Sequence, residues 1–544
     1  MGTIRTASFL ALLVAAIPVM HAAKLAAQPG TAKTNPADKG TPPEGAGKKG
    51  KAKARFTVGK ATTYVEGPLD QDGRVDYAAA LNQRMSKGVT PENNANVLLW
   101  KAMGPRPQDA PKMPPEYFRM MGMDSPPDEG EYFIDAHRYA KENPRFVPAG
   151  EGDNAYTWLA RVTGRPWAAK DYPEVAAWLK RNERPLALVV EATRRTQYYS
   201  PLVPPKTEKG PSGLLKVLLP GVQPCRWFAH ALAVRAMMHV GDGNVEDAWS
   251  DLLACHRLGR LVGRGGPTIE AIVGFSIDGV ACQRDVVFLE SARQNARQLA
   301  ACLRDLRALP PLPDLSEKVD LCERFMILDI FMMCERYGLE HMESLSGGAA
   351  KDPDPVLRTL EQAIDWDPAL ETANRWCDRA VAALRETDRQ ARMTKLSSLE
   401  TDLKAIGEQA KAAKGQKLTG KAAGRAIGDV LISRLMPAGA KLQDVADRAR
   451  QIQDNVAVAF ALSQYRLDHD RYPEGIDVLA PRYLEKVPGD LFSGKALVYR
   501  AVGAGYLFYS VGINGRDEDG RGPDDVPRGD DLSVRMPASQ RREN

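Results

Sequence analysis

Strand-forming sequence is confined to three short runs near the C-terminus: ALVYR (496–500), GYLFYS (505–510) and DLSVR (531–535). Glycine-containing connections separate them, as antiparallel neighbours require. Three such strands cannot order a chain of 544 residues, so helices must build the remainder. Just before the strands, KLQDVADRARQIQDNVAVAFALSQYRLDHD reads as one helix with the apolar stripe Ile452, Val456, Phe460, Ser463, Leu467. That spacing predicts a helix with one face to bury. The expected fold is mainly α: an irregular helical scaffold, followed by a small α+β domain with a long helix on a short antiparallel sheet.

Over 61–210, Thr90-Pro91-Glu92 and Tyr172-Pro173-Glu174 carry helix-start signals, because proline is tolerated in the first turn. Over 211–435 the periodicity is stronger. Residues 225–263 read as a helical hairpin, with Phe228, Leu232, Arg235 and Met238 on one helix and Val245, Ala248, Trp249, Leu252 and Leu253 on the next. GDGN turns the chain between them. The hairpin resembles a tetratricopeptide unit in length and in its small alanine positions. No second copy recurs at a fixed period, so a regular repeat array is not expected. Residues 370–413 read as one long, charged, alanine-rich helix. The expected segments are a signal peptide (1–23), a disordered basic linker (24–60), a helical N-terminal region (61–210), a helical scaffold (211–435), the α+β domain (440–537) and a disordered tail (538–544).

Charge is unevenly placed. The chain carries +5, but residues 24–60 alone carry +7 and Arg5 adds one, leaving residues 61–544 at −3. A slightly acidic body argues against nucleic-acid binding. The linker is rich in Pro, Gly, Ala and Lys, and buries too little to offset its ordering entropy. The first residues, MGTIRTASFLALLVAAIPVMHAAK, place Arg5 before an apolar run that ends in small residues. This fits a secretory signal peptide, and the run is short for a membrane span. The seven cysteines form no C-x-x-C pair. They sit among apolar neighbours in helical segments, where buried thiols are expected; if some pair after export, the odd count leaves at least one unpaired or intermolecular.

Local motifs for chemistry are weak. GQKLTGKA (415–422) fits a phosphate loop except that Ala422 replaces the hydroxyl that would reach Mg²⁺, and no strand precedes it. LDQDGRVDY (69–77) offers Asp70, Asp72 and Asp76 at calcium-loop spacing, but Pro68 and Ala79 occupy the two end-ligand positions. It is expected to be an Asp-rich turn. No HExxH and no G-x-S-x-G occurs, and His230 and His239 lie on apolar helices. No catalytic residue is assigned. The remaining feature is FYSVGINGRDEDGRGPDD (508–525), where an aromatic run ends in glycines and carboxylates. Alone it is a solvated turn, with Asn514-Gly515 suited to positive φ.

Its context adds to that reading. ALSQYRLDHDRYPEG, then VLAPRYLEKVPGDLFSGKALVYR, then GYLFYSVGINGRDEDGRGPDD follow one another in order. The segment from about Gln451 to Met536 resembles the globular domain of the major pseudopilins of type II secretion systems. The chain as a whole resembles exported proteins of planctomycete-like bacteria. The pseudopilin resemblance implies a calcium-binding last loop, with Ser510, Asn514, Asp517, Asp519, Asp524 and Asp525 as candidate ligands. Asn514 stands where that family has Asp, and Leu491-Phe492 where it has Pro-Trp. Pseudopilins also begin with a hydrophobic helix that packs the fibre. Here the domain follows some 400 residues, so pilus assembly does not carry over.

The expected function is that of a secreted or periplasmic, non-enzymatic envelope protein: a helical scaffold carrying a pseudopilin-like interaction domain, with structural Ca²⁺ and a protein partner in the envelope. The alternatives are an exported hydrolase with its site in the helical region, and an accessory component of a type II secretion-like system. N-terminal sequencing of the protein from its own envelope fraction should find a start near residues 23–28; an intact Met1 there overturns the leader.

Overall fold

The computed structural model describes residues 54–107, 110–148, 154–205, 213–339, 364–412, 419–436 and 438–537. The expected signal peptide, most of the basic linker, the tail and the start of GQKLTGKA lie outside them. The fold is mainly α with one small sheet. Short helices fill residues 77–192. The longer helices are α1 (Val222–Gly241), α2 (Val245–Gly263), α3 (Thr268–Ser291), α4 (Ala296–Arg307), α5 (Arg324–Tyr337), α6 (Trp366–Leu384), α7 (Arg389–Ala412), α8 (Gly420–Leu435) and α9 (Gly439–His469). No described helix is long and apolar enough to cross a membrane. All seven cysteines are buried, and none forms a disulfide among the described residues.

The chain forms two compact units, each assembled from separated stretches. Of the described residues, one takes those up to Arg84, Leu202–Leu218 and Ser316–Lys441; the other takes Met85–Pro201, Leu219–Leu315 and those from Leu442 onward. In the first, residues 54–76 dock on helices through charge. Arg55 and Arg74 both donate to the buried Glu335, so the linker's last residues are fixed. Asp70 and Asp72, in the calcium-loop-like turn, are both engaged by Arg336. The turn is an arginine-clamped bend. A π-helical turn at Val319–Glu323 leads into α5. Beside it the buried Arg324 donates to Asp320 and Asp378 and lies over the Tyr64 ring at 4.1 Å.

Two expectations need correction here. Residues 370–413 are two helices, because Asp388 bonds the backbone N–H of Ala391 at 2.8 Å and starts α7 afresh. The helix expected at Thr90-Pro91 begins at Ala95, where the Asn94 side chain caps the Asn96 N–H. Asn94 is the better cap because its amide also bonds Tyr199.

In the second unit α1 and α2 form the expected hairpin, and α3 packs on both. Arg235 of α1 and Asp251 of α2 pair at 2.7 Å across it. Deeper in, His256 of α2 donates from Nδ1 to Asp278 at 2.7 Å and from Nε2 to Asp285 at 2.9 Å, both on α3. Arg260 also donates to Asp278. Carboxylates only accept, so both ring nitrogens carry protons. Two cations then face two anions, and the group is neutral as a whole. Burial alone would lower the His256 pKa; Asp285 and Asp278 outweigh it and hold it at about 9.

The sheet is an antiparallel meander: β1 (Val498–Val502), β2 (Gly505–Ser510) and β3 (Leu532–Met536), with Val498 opposite Tyr509 and Ser510 opposite Leu532. All six residues of β2 are buried, so both faces of the central strand are covered. Helix α9 does not bury a single stripe. From Asn455 to Ser463 every residue but Ala457 is buried, while Leu467, at the end of the expected stripe, is 44% exposed. One side meets the sheet, where the Asn455 amide donates to the Leu532 carbonyl of β3 at 2.8 Å. Another meets the helical body, where Phe460 lies 5.5 Å from Trp249 of α2.

The protonated His256 group sets a pH dependence. Its folded pKa lies above the unfolded value of about 6.5, so its stabilisation is complete below about pH 6.5 and fades as pH rises through about 9. Urea unfolding between pH 6 and 10 should show that fall in wild type and a flatter profile in His256→Gln. His256→Leu, which leaves two buried carboxylates facing each other, should cost on the order of 3–5 kcal/mol at pH 7.

Candidate functional site in the acidic connection

The long connection from β2 to β3 folds back over the sheet. Alternation along β2 sends Tyr506 and Phe508 to one face and Leu507 and Tyr509 to the other. Gly520 lies against Leu507 and Tyr509 with φ +76, so a side chain there would press on both rows of atoms. The Tyr509 hydroxyl donates to Asp517 at 2.9 Å. The connection is therefore a cover for one face of the sheet.

One carboxylate ties its start. Asp490 is 3% exposed and accepts from Ser510 Oγ at 2.6 Å, Val511 N at 3.2 Å, Phe492 N at 3.0 Å and Ser493 Oγ at 2.6 Å. The same anion closes the 490–494 turn and ends β2. Gly512 follows with φ +70, and a Cβ there would run into the Asp530 carbonyl. Glycine is required by both the backbone conformation and the close approach.

The residues proposed from sequence as ligands are mostly engaged elsewhere. Ser510 is spent on Asp490. Asp517 accepts from Tyr509 and from the Asp519 N–H. Asp519 pairs with Arg500 at 2.8 Å. Asp525 accepts from the Gly522 N–H at 2.8 Å, and Asp524 stands exposed. Asn514 alone reaches the place where carboxylates converge. Its amide donates to Glu518 at 2.7 Å and its backbone N–H to Asp530 at 3.0 Å.

That place is formed by Glu518, Asp530 and Asp531, whose carboxylate oxygens come within 4.8 Å of one another. Asp531 is 2% exposed. Its Oδ2 accepts from the Gly520 and Glu518 N–H groups, but its Oδ1 has no partner, and neither does Asp530 Oδ1. Burial pushes the Asp531 carboxyl up to about 6, against the backbone donors, and the nearby Glu518 and Asp517 add to it. Burial and Glu518 likewise raise Asp530. Two buried, unbonded carboxylate oxygens beside a third acid fit a cation. Sequence reasoning passed over this trio because Asp530-Asp531 reads as the mouth of a strand.

The other converging group is His256, Asp278 and Cys282. It is closed to solvent, and His256 spends both ring nitrogens on carboxylates. Its imidazole offers no free lone pair, and the cluster gives no access to substrate. An open hollow of about 590 Å³ beside Pro91, Lys101, Tyr132 and Arg195 is lined by no histidine.

No family model matches the chain, no curated protein is significantly similar to it, and no solved structure matches its fold significantly.

The anchoring role of Asp490 is directly testable. Asp490→Ala removes a charged acceptor from four buried or half-buried donors, each such bond contributing about 1.5–3 kcal/mol. It should cost at least about 3 kcal/mol in thermal or urea unfolding, whereas Asp524→Ala should stay within about 0.5 kcal/mol.

Proposed function

We propose that this is an exported, non-enzymatic protein of the cell envelope. Its helical scaffold carries a pseudopilin-like α+β element that engages a protein partner, with Ca²⁺ as a structural staple in the β2–β3 connection. The leader-like N-terminus supports export. The order of helix, turn, meander and acidic cover supports the pseudopilin-like reading.

The observation that carries the metal is the pair of unbonded buried oxygens, Asp530 Oδ1 and Asp531 Oδ1, beside Glu518. Calcium takes six to eight oxygens, including backbone carbonyls, and tolerates irregular geometry. The three carboxylates would hold it, and the ion would supply charge compensation only. It would join Glu518, within the cover, to Asp530-Asp531 at its end, and so hold the cover on the sheet.

Helix α9 is buried against the helical body as well as the sheet, so the test uses the whole mature chain. Differential scanning in millimolar CaCl₂ should raise Tm over a chelated sample, by an amount set by concentration over Kd, about 2.7 kcal/mol at a hundredfold excess. The double variant D530N/D531N should lose that rise while remaining at least as stable without calcium. An unchanged wild-type Tm overturns the metal.

A further inference from the structure

The first half of α1 carries Arg226, Trp227 and His230 on adjacent turns. Arg284 of α3 and Tyr156 of the short helix Ala155–Val162 stand beside them. Trp227 stacks on Tyr156 with ring centroids 3.6 Å apart and 16° between planes. His230 closes the group, 5.9 Å from Trp227 and 6.0 Å from Tyr156. The Tyr156 hydroxyl donates to Asp135 at 3.2 Å, which fixes the ring. Tyr156, Arg226, Trp227, His230 and Arg284 are all half-buried, so solvent reaches the group.

Arg226 and Trp227 both hold donors that no acceptor meets. Arg226 makes one long contact, from Nη1 to the Gln223 amide oxygen at 3.5 Å, and its covered Nε–H meets no acceptor. The Trp227 Nε1–H meets none either. Among the described residues no carboxylate holds the Arg226 charge: burial lowers its pKa with nothing opposing it. His230 is held neutral, by burial first and then by Arg226 and Arg284, at about 4. The only charges acting on it are positive. A guanidinium withdrawn from water without a counter-charge is costly, and a carboxylate or phosphate is its natural planar partner.

We propose that Arg226, Trp227 and Arg284 form a binding site for an oxyanion, a phosphate or carboxylate group brought by a small ligand from outside the chain. The anion accepts from Arg226 and from the Trp227 N–H, Arg284 adds charge, and the Tyr156–Trp227 stack forms a rigid wall. Neutral His230 has one ring N–H to give.

The test is a titration of the full mature protein, free of calcium, with phosphate, sulfate or acetate against chloride at equal ionic strength, read by Tm and by tryptophan fluorescence. A saturable Tm rise is expected in an oxyanion and not in chloride. A rise in phosphate and sulfate identifies a tetrahedral group; a rise in acetate alone identifies a carboxylate. Arg226→Gln should weaken binding at least tenfold while its Tm in chloride equals or exceeds that of wild type, because it sheds an uncompensated charge. Trp227→Phe keeps the stack, and should weaken binding with its chloride Tm unchanged. Equal Tm in all four salts, a rise that Arg226→Gln retains, or a drop in the chloride Tm of Arg226→Gln would each overturn the site.

Discussion

Helix α9 has no free side over its central turns, and the second unit depends on that. Val456, Val458, Phe460 and Leu462 would be excessive for a helix lying on a three-stranded sheet. They are explained by two layers meeting on one helix. The sheet takes one side and the α2–α3–α4 body another, through Trp249, which also touches Phe288 and donates to Asp305 at 2.9 Å. An isolated three-stranded meander is marginal in water. Burial of α9 on both sides is what makes this one a fixed part of a larger core.

Much of the described polar interior follows one rule, and two clusters depart from it. Buried charges are paired: His256 and Arg260 with Asp278 and Asp285, Arg235 with Asp251, and Asp490 with four donors. A buried group left without a partner costs more than the same bond adds when made. The acidic trio and the Arg226 cluster break that rule in opposite senses. One leaves Asp530 Oδ1 and Asp531 Oδ1 without donors; the other leaves the Arg226 Nε–H and Trp227 Nε1–H without acceptors.

The architecture was legible from the sequence because periodicity is a local property. The three strands lie where their runs predict, with β1 displaced by two residues, and the α1–α2 hairpin turns at GDGN. The double burial of α9 departs from the single stripe expected of it, although VAVAFAL is a continuous apolar run. The site was legible only as a neighbourhood. A row of acids in a loop does not say which will be spent locally, and Asp517, Asp519 and Asp525 were spent on Tyr509, Arg500 and Gly522. Glu518 meets Asp530 and Asp531 only because the connection doubles back, which Gly512 and Gly520 permit. The Arg226 cluster had no sequence signal, since a missing counter-charge is visible only in three dimensions.

A carboxylate's count says little about its role; its remaining lone pairs say more. Asp490 and Asp531 are both nearly covered, both in the same layer, and both anchor backbone. Asp490 spends both oxygens on protein donors and is thereby a complete structural device. Asp531 spends one and leaves the other facing two more acids. Folding alone would favour an asparagine at such a position, whose amide could donate to Glu518 or Asp530 instead of repelling them. Keeping an acid there costs the fold energy, which the proposed cation would recover. The same reasoning with signs reversed applies to Arg226, where glutamine would serve the fold as well. In both places part of a charged group is left without a partner by the packing around it.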